Sequence, residues 1–534
     1  MRNKLFSHPG TIPGCTKFPK AMPGWHRFRM AFGCHPFWPV KMGDENKSDV
    51  RTLVGTSAKR IDEMLYKWYI YGMTDDKIRL QFLGATGYVT GSRTLIETNN
   101  VRVYVDAGLY QGPKYIEEKN YKPLETDPKT IDAIFLTHAH IDHSGLIPLL
   151  VKKGFKGKIF CTPATYDLLE ILLPDAGRLQ DEEYRFLSKK KISEYQISES
   201  LYTAEDAINS LKYFETVPFD TEFTFKGITA TFHWVGHILG ASSVRLTINN
   251  KSLLFSGDIG PKKTILHKNR NRPPGADFII MESTYGDRKH DESDDYHKSM
   301  AEAVMLAIRR KGILLIPSFA VGRTQLILYV LYRLLQDDRI PQIPIYIDSP
   351  MATKATRVYL NYPEEIAQIV IKEKFFEFIN SRQIHLIEDV VDSKRLNFFD
   401  GPGIIISASG MCSGGRVVHH IFNRIWDRRN IMLFVGYQAE GTLGRKLVRG
   451  SSRIKLFKRE LPVRASIRSI EAFSAHADQT GLIEWLGDSC RIQTPAKVFI
   501  NHGEEEARHG LKSAIRFIPE EKLVLPRSEE IFYI

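Results

Sequence analysis

No stretch of this 534-residue chain stays apolar for the roughly 18 residues that a membrane span requires, so a membrane-embedded protein is not expected. Cysteine is scarce. Cys15, Cys34, Cys161, Cys412 and Cys490 are scattered, and no two form a CxxC pair. That argues against a disulfide scaffold and a cysteine-only zinc module, and makes a reducing cytoplasm the simplest compartment. Internal repeats and long low-complexity runs are also missing. Acid is absent from residues 1 to 41, which hold Arg2, Lys4, Lys17, Lys20, Arg27, Arg29 and Lys41 among many prolines, glycines and aromatics. This stretch lacks the continuous apolar core of a secretory signal, and its prolines break any amphipathic transit helix. Residues 1–76 are expected to be a disordered leader, or an over-extended start with Met73 as the true beginning.

The remaining composition is that of a globular protein, with 43% hydrophobic and 25% charged residues. The length exceeds one ordinary core, so at least two domains are expected. A formal net charge of +12 favours a polyanionic partner or substrate, although a generally basic surface carries the same charge.

From about residue 77, short strands rich in β-branched and apolar residues follow one another: Ile78–Leu83, Thr94–Glu97, Val101–Asp106 and Ala133–Thr137. Helical periodicity spans Thr165 to Lys190, and a second β-rich block spans Glu222 to Ser256. After Glu282 the rhythm becomes a regular alternation. Helix 294–311, strand Ile313–Ser318, helix Gly322–Gln336, strand Ile343–Asp348, strand Gly403–Ser407, helix 415–427 and strand Ile431–Gly436 read as a parallel-sheet α/β domain. Short strands resume after about residue 460. One domain inserted into another is expected, with boundaries at 77–284, 285–460 and 461–534.

The densest chemistry lies in His138-Ala-His140-Ile-Asp142-His143, directly after the largely apolar run Ile131–Leu136. Residues two apart on an extended segment point the same way, so His138 and His140 can face one ion. Asp142 and His143 follow where the chain turns and can face a second. Nitrogen and carboxylate ligands at this density suit zinc. Distant partners are needed to complete a site, and His237 in Gly236-His-Ile-Leu-Gly240 and Asp258 in Ser256-Gly-Asp258 are candidates, each at a strand end beside glycine. Either alone is more often an ordinary turn residue.

Taken in order, HAHIDH, GHILGA and SGD resemble motifs of the metallo-β-lactamase superfamily, whose first aspartate is matched by Asp106 in Val-Asp106-Ala-Gly108. The later stretches Glu282-Ser-Thr-Tyr-Gly-Asp287, Pro317-Ser-Phe-Ala-Val-Gly-Arg323, Asp348-Ser-Pro350, Ser407-Ala-Ser-Gly-Met-Cys-Ser-Gly-Gly-Arg416, Phe473-Ser-Ala-His-Ala-Asp478 and Asn501-His-Gly-Glu504 are similar to those of its β-CASP nucleases, the branch containing the cleavage-and-polyadenylation endonuclease. The resemblance implies an αββα sandwich with an inserted parallel-sheet α/β domain. It implies two Zn2+ per chain, the first on His138, His140, His237 and Asp258, and the second on Asp142, His143, Asp258 and His502. Asp258 would bridge, with a water, and Asp106 would support the metal loop from behind. Glu282, His476 and His502 match the branch's motifs A, B and C.

The activity implied is hydrolysis of single-stranded RNA, mainly endonucleolytic, by a water activated between two metals. Asp142, Glu282 and His476 would be catalytic, with His476 the general acid. Arg323, Ser409, Gly410 and Arg416 are candidate substrate contacts, the glycines equally explained by a tight turn. Basic clusters at 189–191, 262–272, 424–429 and 445–459 could form a phosphate track or separate solvated faces, and the helix from Arg178 to Lys191 could form a lid. The alternatives are a 5′-3′ exoribonuclease, a (thio)ester hydrolase and a non-catalytic RNA-binding subunit. No membrane partner is expected. A homodimer is one assembly the sequence admits.

Overall fold

The computed structural model describes residues 77–190, 199–290, 295–436, 438, 441–470 and 473–534. The leader expected at residues 1–76 and Lys191 of the suggested lid lie outside them.

Two seven-stranded sheets stack on each other. The first runs, in spatial order, Ile531–Tyr533, Arg79–Phe82, Thr94–Glu97, Arg102–Val105, Ala133–Phe135, Lys158–Cys161 and Phe214–Thr216. The second runs Leu523–Val524, Lys497–Ile500, Phe278–Met281, Lys251–Phe255, Ser242–Ile248, Ile228–Trp234 and Phe223–Phe225. Their inner faces share one core, in which Leu80, Phe82, Val103 and Phe135 meet Phe232, Val244, Leu253 and Phe499. The Phe82 and Phe499 rings lie 5.2 Å apart across it. Ile228–Trp234 alternates buried and half-buried residues, as a strand covered on one face does.

A third sheet of six strands is wholly parallel, in the order Ile384–Leu386, Ile345–Asp348, Gly403–Ser407, Ile313–Pro317, Ile431–Val435 and Ser466–Ile470. Every residue of Ile313–Pro317, Gly403–Ser407 and Ile431–Val435 is buried. Those strands are covered by helices on both faces, which is why their sequences read as unbroken apolar runs. The architecture is the expected sandwich with a parallel α/β insertion. Ser466–Ile470 lies past the expected boundary at 460 yet pairs with Ile431–Val435, so the third sheet extends to residue 470.

The insertion is accommodated by one pairing. Phe278–Met281, after which the chain leaves the sandwich, lies parallel to Lys497–Ile500, on which it returns, with Met281 opposite Ile500. Departure and return are adjacent, so the 215 residues from 282 to 496 intervene without opening the second sheet. Contacts then tie the insertion back. The Tyr362 hydroxyl donates to Asp167 at 2.7 Å, and buried Glu365 accepts from the Gly240 amide at 2.6 Å.

Candidate metal centre

Strand Ala133–Phe135 delivers the hexad to the end of the first sheet, and His140 then caps the short helix Ile141–Ser144. His138 and His143 are fully buried, while His140 and Asp142 are half-buried. The loop is held from beneath by Asp106, whose backbone is left-handed with φ 60°. One oxygen of Asp106 accepts from the Thr137 amide and hydroxyl, both at 2.9 Å. The other accepts from Ser92 Oγ at 3.1 Å and His143 Nδ1 at 2.7 Å.

Four ligand atoms converge on one point. His138 Nε2 and His237 Nε2 each stand 3.1 Å from His140 Nδ1, and they stand 3.5 and 3.4 Å from Asp258 Oδ2. Atoms about 2.0–2.1 Å from a tetrahedral ion are necessarily about 3.3–3.4 Å apart, so these edges have the right size for a zinc-like ion. Beside them, His143 Nε2 lies 3.0 Å from His502 Nε2 and 3.2 Å from Asp258 Oδ1, and His502 Nε2 is 3.8 Å from Asp142 Oδ2. Asp258 faces both groups, one oxygen to each. Its buried Oδ1 has no hydrogen-bond donor. Such an atom demands a cation or a proton.

The outer ring nitrogens explain why the inner ones are bare. His237 Nδ1 donates to the Ala475 carbonyl at 3.1 Å, and His143 Nδ1 donates to Asp106. With that proton committed, Nε2 of neutral His237 presents a lone pair, and Nε2 of His143 would present one once its second proton is displaced. Burial holds His138, His140 and His237 below the ordinary histidine range and therefore uncharged. Burial also opposes charge on His143, but Asp258 and Asp106 outweigh it and raise its pKa. The surrounding imidazoles, His143 foremost, hold Asp258 well below the carboxylate range against its burial. A metal ion would take the place of the proton that this cluster otherwise retains.

His476 arrives from the C-terminal segment. Asp478 caps helix Gln479–Ile492 by accepting from the Gly481 amide at 2.8 Å, and Ala477 N donates to Ile259 O beside Asp258. These bonds hold His476 Nδ1 at 3.2 and 3.3 Å from the two oxygens of buried Glu282, with Nε2 at 3.8 Å from Asp258 Oδ2. Burial works against the imidazolium, but Glu282 and Asp258 offset it and raise the pKa to about 9.

The candidate substrate contacts separate. Arg323 is half-buried and its Nη1, which is buried, has no partner, beside Gly436 and near Tyr285; burial lowers its pKa to about 10. Gly410 packs under the exposed ring of Phe319, and Ser409 Oγ accepts from the Ser413 amide at 3.3 Å. Arg416 is engaged elsewhere: it donates to Asp348 at 2.7 Å and to the carbonyls of Ile387 and Glu388. Sequence reasoning missed Thr137, Ser92 and the Ala475 carbonyl. Thr137 adjoins the hexad and could have been noticed; the other two carry no local signal.

A metal-binding cluster of this composition at the edge of an αββα sandwich defines a metal-dependent hydrolase. Residues 87–311 match the metallo-beta-lactamase superfamily, 324–447 the Beta-Casp domain, and 460–525 the Zn-dependent metallo-hydrolase RNA specificity domain. The chain belongs to the β-CASP branch of the metallo-β-lactamase superfamily. It is 34% identical to a ribonuclease of Thermus thermophilus over 80% of this chain and 94% of that one. It is 31% identical to an RNase J-like protein of Methanocaldococcus jannaschii, covering 80% of this chain and 93% of the relative. It is also 31% identical to the transcription termination factor FttA of Methanosarcina mazei, over 83% of this chain and 69% of the factor. A crystal structure of a protein of unknown function from Enterococcus faecalis shares the fold, with a TM-score of 0.50 and 13% identity over 86% of this chain and all of that one. Among the described residues no helix is long and apolar enough to cross a membrane.

Proposed function

We propose that the chain hydrolyses phosphodiester bonds of single-stranded RNA, mainly endonucleolytically, with two zinc ions. The observation that carries this is the adjacency of two clusters, one of His138, His140, His237 and Asp258 and one of Asp142, His143 and His502, with Asp258 Oδ1 3.2 Å from His143 Nε2 and His476 held against Glu282 at their side. The ribonuclease relatives and the match to an RNA specificity domain support RNA as substrate. His138, His140, His237 and Asp258 would hold one ion; Asp142, His143, His502 and Asp258 would hold the other. When bound, the ions lower the pKa of a water and neutralise charge at phosphorus. His476, charged and oriented by Glu282, gives its Nε2 proton to the leaving 3′-oxygen. The products are a 5′-phosphate and a 3′-hydroxyl. Arg323 offers its unpartnered Nη1 to a substrate phosphate, and Arg416 buttresses Asp348 instead. Glu282 positions, and Asp106 fixes the ring of His143. Of the expected boundaries 77–284, 285–460 and 461–534, the second would move to 470, with Ser466–Ile470 as the insertion's edge strand. Free Cys161, Cys412 and Cys490 accord with a cytoplasmic setting.

The test is metal analysis of the purified chain, together with cleavage of 5′-labelled and internally labelled RNA with and without chelator. Internal cuts that chelation abolishes are expected. Stepwise release of nucleotides from the 5′ end would make it an exonuclease. Retained zinc with intact RNA and hydrolysed thioester would sink the reading.

A further inference from the structure

The basic clusters at 262–272, 424–429 and 445–459 differ in what occupies them. Arg270 donates to the Gly260 and Gly481 carbonyls, Arg424 is buried on the Leu396 carbonyl, and Arg429 pairs with Asp400 and Asp427. The segment 441–468 has a larger excess of positive charge, although its Arg468 pairs with Glu302 at 3.6 Å. It holds nine Lys and Arg against the single acid Glu460, so it carries a net +8 of the chain's +12. Its centre is the hairpin Arg453–Leu456 and Arg459–Pro462. Ile454, Leu456 and Leu461 pack it onto Val417 and Ile421, while Arg453, Lys455, Lys458 and Arg459 are exposed. Glu460 is spent on Arg453 at 3.0 Å.

The turn itself is anomalous. Phe457 and Lys458 are its two central residues, with φ of 47° and 65°. A turn with both centres left-handed selects Asn-Gly or Asp-Gly; a bulky aromatic there is strained. The ring is nevertheless 51% exposed, stacked at 4.8 Å and 24° on His419 and 5.4 Å from Phe422, over which Arg459 lies. A purely structural staple would bury that ring. Strain accepted to display an aromatic among cations is the composition of a stacking platform.

The hairpin is also linked to the loop that carries His237. Gly322 abuts Ile238 beside His237, Phe319 of the same loop covers Gly410, and the Met411 carbonyl accepts from Gly444 in helix Leu443–Val448. That six-residue helix spans about 9 Å and leads to the hairpin.

We propose that hairpin 453–462 is a single-stranded RNA-binding platform outside the metal centre, in which Phe457 stacks a base while Lys455, Lys458 and Arg459 contact phosphates. It rests on the RNA-hydrolase reading, and binding and cleavage are measured separately so that each can fail alone. The probe is polyuridine of about thirty nucleotides, bound to zinc-loaded full-length protein carrying His476→Ala to prevent cutting. Adding Phe457→Asn with Lys458→Gly installs the turn's preferred residues, so melting is unchanged or raised, while affinity falls roughly tenfold. Adding Lys455→Ala with Arg459→Ala lowers the slope of log affinity against log salt by about 1.4, two phosphate contacts' worth. Stable variants that bind polyuridine as tightly and with the same salt slope overturn the platform and leave the hairpin to a protein partner. Failure of the wild type to cut RNA that it binds through the hairpin would overturn the hydrolase reading alone.

Discussion

His476 Nδ1 lies 3.2 Å from Glu282 Oε1, and the far nitrogen of the same ring lies 3.8 Å from Asp258 Oδ2. One imidazole thus spans the carboxylate that orients it and the carboxylate shared by both ligand groups. It stands outside the set of His138, His140, His237 and Asp258. His476→Ala is expected to lower kcat by about 10²–10⁴ with zinc content unchanged. Loss of zinc in that variant, read by elemental analysis, would make His476 a ligand and not an acid.

The charge on His476 depends on its neighbours. Burial opposes it, and Glu282 is the first group that sustains it. A general acid must be protonated, so its pKa sets the alkaline limb of kcat. Glu282→Gln keeps the shape and removes the charge, and the limb should move to lower pH. A limb that stays in place while activity falls would assign Glu282 to folding alone.

Asp258 is 2% exposed, and its Oδ1 has no donor although four imidazoles surround it. Asp258→Ala removes a ligand from both groups at once. Zinc should fall to a small fraction of that in the parent, and activity should be lost. Asp258→Asn, which keeps the shape, should also lose metal because the charge is missing. An active, zinc-replete Asp258→Ala chain would end the shared-ligand assignment.

The His and Asp side chains that converge were legible because a metal site would restrict both residue type and local spacing. The third sheet was legible too: Ile313–Pro317 and Ile431–Val435 are apolar on both faces, and helical periodicity separates them. What could not be read is long-range pairing. Nothing local announces that Met281 will face Ile500, or that Ala475 will fix the tautomer of His237, 238 positions away. The same applies to Ser466–Ile470, whose short length resembles the sandwich strands but whose register belongs to the third sheet. The partner of Arg416 was hidden for a related reason. A glycine-rich loop before a helix suggests a phosphate site, yet buried Asp348 lies 2.7 Å away and takes the guanidinium.

Glu365 is a buried carboxylate that no motif announced. It joins the insertion to the loop carrying His237 through the Gly240 amide. Burial raises its pKa from 4.5 to about 7, with the Gly240 hydrogen bond and Lys268 opposing and Glu364 adding. Neighbouring His267 contributes no charge near neutrality, because burial lowers it to about 4. Between these limits the unfolded chain releases the Glu365 proton while the folded chain keeps it. The unfolded state therefore binds fewer protons, and stability falls as pH rises from about 4.5 through about 7. The full effect is no more than about 3 kcal/mol. Glu365→Gln retains an acceptor for Gly240 and cannot ionise. Compared with the parent in urea unfolding of the zinc-loaded chain, it should gain up to about 3 kcal/mol between about pH 5 and about pH 8, the pH dependence of the metal ligands cancelling in the difference. Parallel stability curves for the two proteins would mean that Glu365 is already ionised in the fold, held so by Lys268.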